Sequence, residues 1–413
     1  MTAQIATMNT GGIALASDSA VTIKGRKVYN SAEKLFGLSE NHTVGVMVYG
    51  EKSMFHFPWE TIIKLYGSKL NDPFDTLKEY MESFLQFLNK NEYSEFMSEV
   101  NEEKYIVDKL YTKIKQLHSK LSRINKRLSS EYGELRPQNE IQEMYDQQAK
   151  AFIDKRMNHL KGKSYPKGFN HKDYELLLEK YAKRIVELIC NKFESHLYLI
   201  EWLEDINYIL IQALIKEFSG NFSGIILSGF GNKELYPSLY ILIIDGKINN
   251  KTKYFVEKRS IDDATHGMIL PFAQRDMIKG FLDGINGEME KLLLTDLKNE
   301  FNLLSDTLIH NLNDNFRKEM DLEAIKNEIS DALMQVYDRQ RENILRYKRE
   351  NFTYPILDVV ESLPVKELAD MAEALLNVAA LKRKFSTSVE SVGGPIDVAV
   401  ITKAEGFTWV NKK

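Results

Sequence analysis

The sequence predicts a mixed α+β fold in which antiparallel strands are interrupted by long amphipathic helices. Three observations carry that prediction. Short apolar segments separated by Asn-, Thr- and Gly-rich turns open the chain, return near residues 222–256 and close it near 396–403. Between them, Val107, Leu110, Ile114, Leu117, Leu121, Ile124 and Leu128 recur in steps of three and four, the pattern of a helical seam. A second helical stretch, about 288–350, separates the later strands from the last ones.

In order, Gln4–Met8 and Gly12–Ala16 form a hairpin around Asn9-Thr10-Gly11-Gly12, where Asn and Gly supply the turn chemistry. The second strand ends at Ser17-Asp18-Ser19. A basic turn, Lys24-Gly25-Arg26-Lys27, leads to Glu33-Lys34-Leu35-Phe36 and then to the strand Thr43–Tyr49, closed by Gly50. A helix is expected from Lys52 to about Leu70, with Pro58 kinking it or marking its first turn. Another is expected from Asp72-Pro73 through Phe87.

The seam from Val107 to Leu128 has a partner at Tyr174, Leu178, Tyr181, Ile185 and Leu188. Burying one Leu or Ile side chain stabilises by about 1.5–3 kcal/mol. Seven such residues must therefore pack, in a helical hairpin or against another chain. Lys161–Gly168 lacks the Walker spacing and follows a helix, so it reads as a solvated tip. Strands resume at Phe222–Phe230, Leu239–Asp245 and Lys253–Val256. After the second insert, Pro355 and Pro364 punctuate the return to a helix over Leu368–Leu381.

Composition bounds the function. With 43% hydrophobic and 28% charged residues and a net charge of −4, nothing points to nucleic acid or an acidic membrane as partner. No apolar run approaches the roughly 20 residues of a membrane span, no signal-peptide pattern is evident, and the cytoplasm is the default. The single cysteine, Cys190, excludes an intramolecular disulfide; its helix neighbours Ile185, Leu188 and Ile189 predict a buried, inert thiol.

The chemistry is read at the start of the chain. Trimming Met1 leaves Thr2 with a hydroxyl and a free α-amine, whose ordinary pKa of ~7.7–8.0 suits a general base. Nucleophile and base are then one residue. A neighbouring lysine would hold the amine neutral by repulsion, and a carboxylate would fix that lysine. Lys34 and Asp18 are the candidates.

This arrangement resembles the proteasome β-subunit and HslV-type family of N-terminal nucleophile (Ntn) hydrolases. Counted from Thr2, Asp18 and Lys34 fall at that family's catalytic acid and lysine positions; at ordinary residue usage, both match by chance roughly once in a few hundred. Ala14-Leu15-Ala16-Ser17-Asp18-Ser19, Lys34-Leu35-Phe36 and Val48-Tyr49-Gly50 resemble the flanking strands, with Gly50 about two residues late. Ser228–Gly231, Pro237–Tyr240, Asp245-Gly246, Gly280-Phe281-Leu282 and Gly393–Lys403 add to the resemblance. Two departures stand out. The turn Phe272–Asp276 lacks the family's serine, and Arg383-Lys384-Phe385 with extra residues replaces an Arg-Asp-x-x-Ser-Gly-Gly pattern. Ser391 and Glu390 are the nearest substitutes in position.

The resemblance implies a four-layer αββα sandwich built from residues 2–90, 222–285 and 364–410. Residues 91–218 form a helical coiled-coil insertion and 288–350 a second helical one. It implies a threonine-type peptidase or amidase in which Thr2, Asp18, Lys34 and the Gly50 N–H are catalytic. Thr22 would bind substrate backbone, and Val21, Ala32 and Val48 would line the first pocket. It implies a peptide or protein substrate and a homo-oligomer, and leaves open an unfoldase or other protein partner. The mechanism needs no metal or organic cofactor, and no Cys/His ligand cluster is found. The competing readings are a non-proteolytic Ntn amidase and a catalytically silent scaffold.

Overall fold

The computed structural model describes all residues except 1–2, 24–26, 30–31, 40, 91–97, 193–201, 274, 311–321, 386–392 and 413, with the backbone alone in 21–23, 27–29, 192, 309–310, 322–323 and 325. It contains two five-stranded antiparallel sheets. The first is built from β1 (Ala3–Asn9), β2 (Gly12–Asp18), β12 (Gly267–Ala273), β13 (Ile396–Thr402) and β14 (Gly406–Asn411), in the order β12-β1-β2-β13-β14. The second comprises β5 (Leu35–Gly37), β6 (Val44–Gly50), β9 (Ser223–Gly229), β10 (Ser238–Ile248) and β11 (Lys251–Ser260), ordered β11-β10-β9-β6-β5.

Every residue of β1 and β2 is buried, which requires cover on both faces. Successive side chains of a strand point to opposite faces, and the two sets go to different cores. Ala6, Met8, Ile13 and Leu15 share one core with Met47, Ile226 and Leu239 of the second sheet. Ala3, Ile5, Ala14 and Ala16 instead pack on α7 (Asp276–Asp283), α10 (Tyr354–Ser362) and α11 (Val365–Lys384). Buried polar groups on that face bond to helix backbone: Thr7 Oγ1 donates to Leu368 O at 2.9 Å, and Asn9 Nδ2 to Val360 O at 2.9 Å. On the far side of the second sheet, Val44, Val46, Val48, Ile225 and Leu242 pack on α1 (Trp59–Ser68) and α2 (Leu77–Asn89).

Two helix starts differ from expectation. Lys52 does not begin a helix: β7 (Ser53–Met54) and β8 (Phe57–Pro58) pair first, and α1 starts at Trp59 behind Pro58. The hairpin turns at Phe55 and His56, with φ of 50° and 73°. Likewise α2 starts at Leu77, because Thr76 and Glu79 form a reciprocal capping box that fixes the first turn better than Asp72-Pro73 does.

The long seam lies on α3 (Glu99–Tyr132), followed by α4 (Gln138–Gly162), α5 (His171–Lys192) and α6 (Leu203–Lys216). Ile106, Leu110, Ile114, Leu117, Leu121 and Leu128 are buried within the chain against these helices. Val107 and Ile124 are only partly buried, and on α5 Leu177 is buried while Leu178 is only partly so. Cys190 is exposed, contrary to expectation; its neighbour Ile189 fills the core instead. At the junction of this bundle with the sheet, Tyr105 Oη donates to Asp245 O at 2.6 Å, and buried Lys253 pairs with Asp245 at 2.9 Å.

In the second insert, α8 (Gly287–His310) packs on α9 (Leu322–Lys348), and Leu304 and Leu308 of α8 are exposed. Pro355 sits in the first turn of α10 and Pro364 caps α11. Among the described residues, no helix is long and apolar enough to cross a membrane.

Candidate active site

Asp18 is the last residue of β2 and only 2% exposed. One of its oxygens, Oδ1, accepts from Lys34 Nζ at 2.7 Å and from Ala3 N at 3.0 Å. The other accepts from Gly393 N at 3.3 Å. Lys34, 5% exposed, also donates to Ala20 O at 2.6 Å, while its own carbonyl accepts from Val48 N at 2.9 Å. Residues sixteen positions apart are thus joined across the two sheets, and Ala3, the first residue of β1, is tied to the same carboxylate.

Desolvating a buried ion costs several kcal/mol, so such a pair persists only with good geometry and further hydrogen bonds. Both partners here have them. Burial raises the Asp18 carboxyl above its ordinary value, against the opposing effects of the Lys34 charge and hydrogen bond and the Ala3 and Gly393 N–H groups.

Gly50 ends β6 with φ of +79°, and a Cβ there would lie 2.2 Å from Phe222 O. Only glycine fits. Gly50 shares a pocket of about 410 Å³ with Lys34, Ala32, Val48, Lys52 and Trp59. Five of the residues singled out in the sequence therefore lie together: Asp18, Lys34, Gly50, Ala32 and Val48. Thr2, Ser391 and Glu390 lie outside the described residues. Val21 and Thr22 belong to β3 (Val21–Ile23), which pairs with β4 (Lys27–Tyr29) and is described in its backbone alone.

Three further features escaped the sequence reading. Gln4, fully buried in β1, donates from Nε2 to Ser17 Oγ at 3.0 Å and to Val48 O at 2.9 Å, tying the pocket strand to the first sheet. A polar side chain inside a continuous apolar strand was the available signal. Tyr49 is buried between Phe272 and Phe222, with Gly224 as its strand partner beneath the ring. Lys52 and Trp59 enter the pocket through the unforeseen β7–β8 hairpin.

The departures from the family pattern also map here. Ala3 pairs with Ala273, so the serine-free turn lies beside the start of β1; Ala273 itself has φ of 61°. Gly393, in the altered C-terminal segment, binds Asp18 directly. Among the described residues no group of three or more His, Cys, Asp and Glu side chains is placed to hold a metal ion.

No protein-family model and no curated protein matches this chain. Among solved structures it is similar to an Anbu (Gly-1) mutant from Hyphomicrobium sp. strain MC1, with 8% identity and a TM-score of 0.34. That match covers 100% of this chain and 86% of the other.

Proposed function

We propose that this protein is a threonine-type N-terminal nucleophile hydrolase acting on peptide or protein amides. The observation that carries the reading is the buried Lys34–Asp18 pair, with Ala3 N bound to the same carboxylate oxygen as Lys34 Nζ. After loss of Met1, the Thr2 hydroxyl would attack the carbonyl carbon while its α-amine takes the proton. The Lys34 ammonium, held by Asp18 and Ala20 O, would disfavour protonation of that amine. The Gly50 N–H would donate to the oxyanion, a contribution of about 2.7–4 kcal/mol per donor in acyl-transfer enzymes. The amine would return its proton to the leaving amine and then activate water for deacylation.

The fold belongs to the same proposal. Two sheets share one core while each packs helices on its other side, which supports an αββα sandwich. Residues 2–90, 222–285 and 364–410 would be the core, and 91–218 and 288–350 the insertions. Ala32 and Val48 would line the first substrate pocket, with Thr22 and Val21 beside it and Ser391 or Glu390 supporting the amine. Assembly into a homo-oligomer, with or without an unfoldase partner, and residence in the cytoplasm complete the proposal.

A second reading, a non-proteolytic amidase or a silent scaffold, is favoured by the serine-free turn beside Ala3. Hydrolysis of a panel of N-acylated peptide amides by wild type, Thr2→Ala and Lys34→Ala decides between them. Turnover by wild type alone supports the peptidase. Turnover of small amides only supports the amidase, and equal rates in all three proteins remove both enzymes.

A further inference from the structure

The pocket beside Gly50 carries one cation that the charges around it do not match. Its walls are Ala32, Phe36, Val48, Pro58 and Trp59, and its ionic residues are Lys34, Lys52, Glu33 and Glu60. Lys34 is satisfied by Asp18. Glu60 binds Lys64 at 2.6 Å, and Glu33 lies 3.7 Å from Lys64 and 3.9 Å from Lys412, so both carboxylates are matched on their outer side. Among the described residues no carboxylate forms an ion pair with Lys52; Glu51, the nearest in sequence, lies outside the cavity lining, so Lys52 is the unbridged cation of the cavity.

Lys52 is held there by its backbone. Its carbonyl accepts from Trp59 N at 3.0 Å, the bond that closes the β7–β8 hairpin. The preceding residue is pinned at both ends: Glu51 N donates to Phe222 O at 2.9 Å, and Glu51 O accepts from Ser223 Oγ at 3.0 Å. Ser223 Oγ in turn accepts from Trp59 Nε1 at 2.8 Å. The cation and the indole wall are thus set on one brace. Two consecutive non-glycine residues, Phe55 and His56, hold positive φ to make that hairpin, a strain that clusters at ligand-binding segments.

We infer that Lys52 selects a substrate with a glutamate-like side chain on the acyl side of the scissile bond, the stem lying on Val48 and Trp59 and the carboxylate meeting the ammonium. This inference rests on the hydrolase reading for its place in the reaction, and its recognition step is testable without turnover. Although Lys52 is exposed by area, desolvation in the pocket, with repulsion from Lys34, pushes its ammonium down to about 8; Glu51 and Asp18 work against the shift. A carboxylate ligand would relieve that repulsion.

The test is binding of acetyl-tetrapeptide amides ending in glutamate, glutamine or leucine to the Thr2→Ala protein at pH 7 by titration calorimetry, repeated with Lys52→Met and Lys52→Glu. A solvent-facing ion pair implies a preference for glutamate over glutamine of roughly two- to five-fold, lost in Lys52→Met and inverted in Lys52→Glu. Equal affinities, a preference for leucine, or a glutamate preference that survives Lys52→Met overturns the inference, whatever the wild-type enzyme turns over. Binding selectivity without Thr2-dependent hydrolysis keeps the inference and removes the hydrolase reading.

Discussion

Lys34 Nζ lies 2.7 Å from Asp18 Oδ1 in a site where both residues are at most 5% exposed. Removing one partner leaves the other charged and buried, so Asp18→Asn or Lys34→Met alone destabilises by about 3–5 kcal/mol. The double variant Asp18→Asn/Lys34→Met costs less than the sum, because no uncompensated charge remains. Urea unfolding of the four proteins checks this as a double-mutant cycle; strictly additive losses contradict it.

Gly50 supplies both a conformation and a backbone donor. Gly50→Ala forces a Cβ against Phe222 O at positive φ, so it costs at least about 1–3 kcal/mol of stability. If its N–H serves the oxyanion, hydrolysis falls by roughly 10²-fold or more. Unfolding midpoints and kcat together separate the two effects.

The β7–β8 turn offers the opposite sign. His56 is exposed and has φ of 73° in a two-residue turn, a position that favours glycine. His56→Gly is expected to stabilise by roughly 0.5–1 kcal/mol, seen as a raised Tm. Phe55 is a poorer site for the same change, because its ring packs edge-on against Tyr105 of α3 at 5.7 Å.

The pH dependence follows from Lys52. Its ammonium is pushed down to about 8, so it is cationic at pH 7 and neutral by pH 9. Discrimination between glutamate and glutamine peptides is therefore full below pH 7 and declines as pH rises through 8. The same titration with Lys52→Met should be flat across that range. Binding isotherms at pH 6.5, 8 and 9.5 follow it directly.

Strands β1, β2, β6, β9, β10, β11 and β13 and the Asp18–Lys34 contact were legible in the sequence from alternation, turn residues and spacing, whereas β3, β4, β12 and β14 were not. The seam from Leu110 to Leu121 was legible for the same reason, although which face of α5 meets the core was not: Leu177 and Leu178 are equally apolar, and only packing chooses between them. The hairpin at Ser53–Pro58 escaped notice because Phe55 and His56 are poor residues for its turn, so tertiary contacts rather than propensity hold it. With it went Lys52 and Trp59. Cys190 was misplaced by a single helical step.

Intact-mass analysis, before and after reaction with an electrophile that captures N-terminal threonine, tests the central claim most directly. The expected result is a mass lacking Met1 and one adduct localised to Thr2, absent in Thr2→Ala and weakened in Lys34→Ala. Retained Met1, or equal labelling of wild type and Thr2→Ala, would contradict it.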